Sequence, residues 1–154
     1  NRNKRDEEFG ASYVDSLEEL LERSDYVTLH NPLTPETMNM MSTVQFKLMK
    51  KSAILINTTR GAVVDQDALY EALKSGELAG AALDVTVPEP IPADHPLLTL
   101  DNCLIMPHVA SATGDTRMKM AMMSVENVLA GVTGDWPPYC VNQAAIAGNA
   151  RLKS

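Results

Sequence analysis

Short apolar runs alternate along this chain with segments of helical periodicity, and that alternation admits few folds. Asp25-Tyr26-Val27-Thr28-Leu29-His30 reads as a strand rich in β-branched and aromatic residues, stopped by Pro32. Ala53-Ile54-Leu55-Ile56-Asn57 suits a strand buried on both faces. Ala79 to Val85 and Cys103-Leu104-Ile105-Met106 are two more strands, the last closed by Pro107, and Ser12-Tyr13-Val14 reads as a very short fifth. Helical segments lie between them. Ser16 and Glu19 fit a capping box, with Leu17, Leu20 and Leu21 as the apolar face behind it. Ser42 and Gln45 make a second box, followed by Phe46, Leu48 and Met49, with Lys50 and Lys51 at the helix C-terminus. Asp65 can cap a third helix carrying Leu69, Ala72 and Leu73 and ending at Gly76. A fourth runs from about Thr113 to Val132, with Met118, Met122, Val125, Val128, Leu129 and Val132 at helical steps and Gly134 as its end. Strands separated by helices imply parallel strands joined by crossovers, hence an α/β layered sheet.

Charge and length narrow the function. The chain has 154 residues, enough for about one domain, and 45% of them are apolar. Its formal charge of −7 argues against a nucleic-acid or anionic-membrane surface, either of which wants a basic excess. No apolar run approaches the roughly 20 residues of a membrane helix. The opening Asn1-Arg2-Asn3-Lys4-Arg5 has no apolar stretch behind it and is not a secretory signal. Cys103 and Cys140 give no disulfide framework, Cys103 reads as a small core residue, and the whole reads as cytoplasmic. His30, His95 and His108 lack close ligand spacing, so no metal is expected.

In an open α/β sheet, ligands sit beyond the carboxyl ends of the strands. Three such ends carry functional groups: Asn57-Thr58-Thr59-Arg60-Gly61, Asp84-Val85-Thr86-Val87-Pro88-Glu89-Pro90, and Pro107-His108-Val109-Ala110-Ser111. An Arg, a Glu and a His thus leave three consecutive strands at one edge, the set needed to reduce a 2-keto acid. Arg60 can hold a carboxylate with its planar fork. His108 can donate a proton to a carbonyl oxygen, and Glu89 can orient the imidazole and stabilise its charged form. Taken singly, each is more often an ion-pair, loop or structural residue. Their joint placement favours the chemistry.

The string Ile54 to Asp65 closely resembles the Arg-bearing signature of D-2-hydroxyacid dehydrogenases. Leu83-Asp84-Val85 with Pro88-Glu89-Pro90 resembles their Glu-bearing signature, and Pro96-Leu97-Leu98 with Pro107-His108 and Ser111-Ala112-Thr113 their His-bearing one. His30-Asn31-Pro32-Leu33-Thr34 and Met38 resemble the loop against the cofactor. The resemblance runs from Asn1 to about Asn142, and Val85 to Pro92 with His95 to Leu98 looks like the glyoxylate/hydroxypyruvate reductases. It implies Arg60, Glu89 and His108 as catalytic residues and Asp84 against the nicotinamide carboxamide. It also implies that Thr58, Thr59, Arg60 and the turn from His108 to Ala110 line the cofactor, with Ala110 where many members have Gly. The fold it implies is part of a Rossmann-like, doubly wound parallel sheet. Residues 1–134 would be the latter part of the NAD(P)-binding domain and 135–154 a tail, extended at Trp136-Pro137-Pro138-Tyr139 and then disordered.

Asn1-Arg2-Asn3 resembles the loop after the second Rossmann strand. No acid appears there before Asp6, and Arg2, Lys4 and Arg5 could meet a 2′-phosphate, which favours NADPH over NADH. The chain holds no Gly-x-Gly-x-x-Gly. It is therefore expected to be a part of such an enzyme, without the substrate domain or first Rossmann unit, weakly stable or oligomeric alone and a poor enzyme by itself. Met118, Met120, Met122 and Met123 cannot share one helix side, so that helix is expected to be buried on more than one side rather than to form a dimer surface. The family resemblance nonetheless implies a homodimer for the full-length protein. The expected partner is a small 2-keto acid substrate. Two other readings stand beside it: an NAD-sensing corepressor that keeps these residues and binds peptides, and a truncated product without catalytic role.

Overall fold

The computed structural model describes residues 10–143, and the chain divides after His108 into two units. The first holds a parallel sheet of four short strands: β1 (Tyr26–Leu29), β2 (Ile54–Asn57), β3 (Gly80–Leu83) and β4 (Cys103–Ile105). Their spatial order is their chain order, β1-β2-β3-β4. Val27, Leu55, Ala81 and Cys103 share one rung, and Leu29, Asn57, Leu83 and Ile105 another. Helices α1 (Leu17–Arg23), α2 (Thr43–Leu48) and α3 (Gln66–Lys74) lie side by side, followed by a short 3-10 turn at Pro96–Thr99. A strand order that always advances, joined by right-handed crossovers, puts every crossover on the same face. This is one half of a doubly wound sheet.

The core therefore lies on one side of the sheet. Leu21, Phe46, Leu69 and Leu73 from the helices close over Val27, Leu55, Ala81 and Leu83 from the strands. The opposite face stays open: Tyr26 and Leu104 are 68% and 59% exposed, and Ile54 and Ile56 are only half-buried. The expectation that residues 53–57 are buried on both faces fails for this reason. The apolar run is real, but among the described residues no crossover comes to its second face. Residues 12–14 form no strand. Leu20 is exposed although Leu21 is fully buried, because a helix of two turns presents one narrow stripe to its neighbours.

The helix starts follow the capping residues with one change of partner. Ser16 Oγ accepts from the Glu19 N–H at 3.1 Å, but Glu19 turns forward to Arg23 at 2.7 Å instead of back to Ser16. Asp65 has two tasks. Its Oδ1 accepts from the Ala68 N–H at 3.0 Å and caps α3, while its Oδ2 accepts from Ser42 Oγ, the N-cap of α2, at 3.0 Å. Backbone bonds from Asn39, Met41 and Asp65 stitch residues 39–41 to residues 62–65 alongside. Two crossovers are thus joined at their helix starts. Cys103 and Cys140 are both free, and burial pushes the Cys103 thiol up to about 11, as suits an inert core thiol.

The second unit holds α4 (Gly114–Thr133). Thr113 Oγ1 accepts from the Thr116 N–H at 3.2 Å, and Gly134, at φ 88°, ends the helix in the left-handed region that glycine adopts freely. Asn127 Oδ1 accepts from the Tyr139 N–H at 3.0 Å and ties the following residues to the helix. No residue of α4 is buried, contrary to the expected burial on several sides. Periodicity reports an apolar face without reporting what covers it.

Asp65→Ala removes the acceptor that α2 and α3 share. It is expected to lower the unfolding free energy by about 1–2 kcal/mol, measured by urea denaturation. A midpoint equal to that of the unsubstituted chain would refute the link between the two helix starts.

Candidate active site

Because the four strands are parallel, the segments after β2, β3 and β4 emerge at one edge. Backbone hydrogen bonds continue the ladder beyond the strands. The Asp84 N–H donates to the Asn57 carbonyl at 2.9 Å, the Met106 N–H to that of Leu83 at 2.8 Å, and the His108 N–H to that of Asp84 at 3.0 Å. The three segments are held in register as they leave the sheet.

After β2, Asn57 shapes the turn. Its side chain is on the core side and 0% exposed. Its Nδ2 donates to the Arg60 carbonyl at 3.0 Å, and its Oδ1 accepts from the Thr59 N–H at 3.1 Å and the Thr59 hydroxyl at 3.0 Å. A buried amide so fully satisfied fixes a tight turn, with Arg60 exposed at its tip. The guanidinium donates to the Thr59 carbonyl at 2.7 Å.

After β3, Asp84, Val85 and Thr86 are buried, and the chain then surfaces at Val87. Gly61 lies directly against this loop: a Cβ there would stand 2.3 Å from the Thr86 carbonyl carbon and oxygen. Only glycine permits the Arg-bearing turn and the Glu-bearing loop to come this close. Thr86 Oγ1 donates to the Pro88 carbonyl at 2.9 Å and curls the loop toward Glu89.

After β4, His108 adopts φ 54°, a left-handed conformation in which His is enriched. Its Nδ1 lies 2.5 Å from Glu89 Oε1. The His108 and Glu89 side chains are 49% and 41% exposed, and a pair this open contributes little to stability. The contact therefore serves to orient the ring. With Nδ1 engaged, Nε2 is the ring nitrogen left to exchange a proton. Glu89 and His108 line a cavity of about 460 Å³ with Asp84, Thr86, Ile91, Leu98, Ile105 and Met106 among the other lining residues. A few polar groups converge there on an apolar wall, as in small-molecule sites.

Glu89, His108 and Asp84, all expected from the sequence, thus meet in one cavity. Arg60 does not line it, although its turn adjoins the loop through Gly61. Thr58 is exposed and Thr59 half-buried on the Arg60 turn. Ala110 is exposed and falls in the second unit, and Asn1, Arg2 and Asn3 lie outside the described residues. Sequence reasoning missed Asn57 as the organiser of the Arg60 turn. Its signal was an amide at an inward-facing position of an otherwise apolar strand.

Asn57→Ala leaves part-buried groups of Thr59 and Arg60 without their partner and is expected to destabilise the fold by about 1–3 kcal/mol. Gly61→Ala forces backbone apart and is expected to lose about 3 kcal/mol or more. Denaturant unfolding checks both. A Gly61→Ala chain as stable as the unsubstituted one would mean that the close approach to Thr86 is wrong.

Known proteins similar to this chain give its family. Residues 1–110 match the family model described as D-isomer specific 2-hydroxyacid dehydrogenase, NAD binding domain. A glyoxylate reductase of Korarchaeum cryptofilum is 54% identical over 141 residues, covering 92% of this chain and 42% of that protein. The human glyoxylate reductase/hydroxypyruvate reductase is 49% identical over 131 residues, covering 85% of this chain and 40% of that protein. The chain therefore spans about two fifths of the length of these relatives. The NAD-complexed D-isomer specific 2-hydroxyacid dehydrogenase of Lactobacillus delbrueckii ssp. bulgaricus superposes with a TM-score of 0.80 at 37% identity, over 90% of this chain and 46% of that one. By the architecture of its sheet and by these matches, the chain belongs to the D-isomer specific 2-hydroxyacid dehydrogenase family and carries sequence of its NAD binding domain.

Proposed function

We propose that this chain carries the catalytic side chains of a reductase that converts a small 2-keto acid, such as glyoxylate or hydroxypyruvate, to the D-2-hydroxy acid with NAD(P)H. The observation that carries the reading is the Glu89–His108 pair at 2.5 Å, lining a cavity at the carboxyl edge of the sheet. The names of the similar proteins, glyoxylate reductase and glyoxylate reductase/hydroxypyruvate reductase, support the substrate class.

The residues present suit the nicotinamide end of the cofactor. Asp84 is 7% exposed, lines the cavity and offers the carboxylate acceptor that a carboxamide N–H seeks. Thr58, Thr59, Arg60 and His108 would complete that wall, and the resemblance of Asn1, Arg2 and Asn3 to the loop after the second Rossmann strand assigns them to the ribose. Arg2, Lys4 and Arg5 favour the 2′-phosphate of NADPH over NADH. When bound, the reduced nicotinamide supplies a hydride. His108 gives its Nε2 proton to the carbonyl oxygen of the keto acid, while Glu89 holds Nδ1 and stabilises the charged ring before transfer. Arg60 leaves the Thr59 carbonyl and pairs with the substrate carboxylate through its fork.

Consumption of NADPH with hydroxypyruvate or glyoxylate tests this, in the chain and in any longer polypeptide that contains it. His108→Ala is expected to lower kcat about 10²–10⁴-fold. Arg60→Ala is expected to raise KM and lower kcat/KM. Turnover that survives both substitutions, or its absence from every form of the protein, would refute the reading.

A further inference from the structure

Gln66, the first residue of α3, makes two hydrogen bonds to one residue of another segment. Its Nε2 donates to the Val87 carbonyl at 2.7 Å, and its Oε1 accepts from the Val87 N–H at 2.7 Å. The side-chain amide thus pairs with both backbone groups of Val87, as a neighbouring strand would. Val87 is half-exposed and outside any strand.

The composition of the loop makes this contact consequential. Pro88, Pro90 and Pro92 supply no backbone N–H, so few donors are left with which the loop could hold itself. Val87 carries one of those donors, two residues before Glu89. Two consecutive Cα–Cα steps span at most about 7 Å, so a fixed Val87 narrows where the Glu89 carboxylate can go. Gly61 packs on Thr86 immediately before it. The clamp joins the start of α3 to Val87, and the packing contact joins the Arg60 turn to Thr86 beside it.

We infer that Gln66 is a positioning residue, which anchors Val87 to the start of α3 and so sets the Glu89 carboxylate against Nδ1 of His108. Resting on the keto-acid reductase reading, this makes Gln66 a determinant of how firmly the imidazole is aimed when its proton leaves from Nε2. It touches neither substrate nor cofactor.

The test reads the ring directly, by ¹⁵N NMR of histidine-labelled chain at a pH where the imidazole is neutral. His108 is expected to hold its proton on Nδ1, facing Glu89. Gln66→Ala is expected to shift it toward the Nε2-protonated form while far-ultraviolet circular dichroism stays unchanged. Gln66→Glu keeps an acceptor for the Val87 N–H but loses the donor, and it is expected to fall between the two. It also gives the readout should the alanine variant fail to fold. In a form that turns over, Gln66→Ala is expected to lower kcat by up to about 100-fold with KM little changed. A ring already protonated on Nε2 in the unsubstituted chain, or His108 signals unmoved in the folded variants, would overturn the inference. A tautomer shift, with turnover absent from every form of the protein, upholds Gln66 and counts against the reductase reading alone. Turnover with an unmoved His108 does the reverse.

Discussion

The backbone of Asp84 holds the site edge together. Its N–H reaches the Asn57 carbonyl and its carbonyl accepts the His108 N–H, at 2.9 and 3.0 Å. One residue thus carries the sheet ladder past the last paired rung on both sides. Main-chain bonds are short and directional, so groups attached within a few residues of them are placed more closely than groups on free loops. Among the described residues, β4 has β3 as its one strand neighbour. The position of His108 is therefore inherited from β3, and disturbance of Asp84 would reach the imidazole through the backbone before any side chain was involved.

The same economy of contacts appears on the helical side. A strand order that only advances gathers all crossovers on one face, and neighbouring crossovers then touch. Asp65 exploits this by capping α3 with one carboxylate oxygen and receiving the α2 cap residue with the other. The segment between, from Arg60 to Val64, is braced by the Asn39 and Met41 backbone on one side and by Thr86 on the other. The turn that carries Arg60 is in this way held by two separate segments, although Arg60 itself is exposed.

Local signals in the sequence were sound where one element decides the outcome. Period and capping residues located the four strands and four helices of the described residues, because an N-cap oxygen or a terminal glycine acts within its own turn. Glu89 and His108 were legible as chemistry-bearing residues at successive strand ends, and the fold brings these two side chains together, while Arg60 stays outside their cavity. What the sequence did not disclose depends on neighbours distant in the chain. Glu19 had two feasible partners, the Ser16 N–H behind it and Arg23 one turn ahead, and its carboxylate pairs with Arg23. The apolar run at 53–57 could not show that its second face would be left half-open. Gln66 carries no signal in the sequence that sets it apart, and only the fold brings it to Val87, 21 positions away.

The two halves of the site differ in how far they are prepared in advance. Glu89 and His108 are already engaged, so orienting the ring requires little further ordering on binding. Arg60 is engaged with a neutral carbonyl, which must be given up. A charged donor to a neutral acceptor is worth about 1.5–3 kcal/mol, whereas a bidentate pair with a carboxylate is stronger and geometrically more selective. Under the proposed function, that difference makes the exchange favourable only for an anion able to take both prongs of the fork. A 2-keto acid meets the requirement, and a simple ketone or aldehyde does not. The Thr59 carbonyl, fixed in place by Asn57, then acts as a resting partner that a neutral compound cannot outcompete. Selectivity for the acid would thus rest partly on the turn that holds the arginine when no substrate is bound.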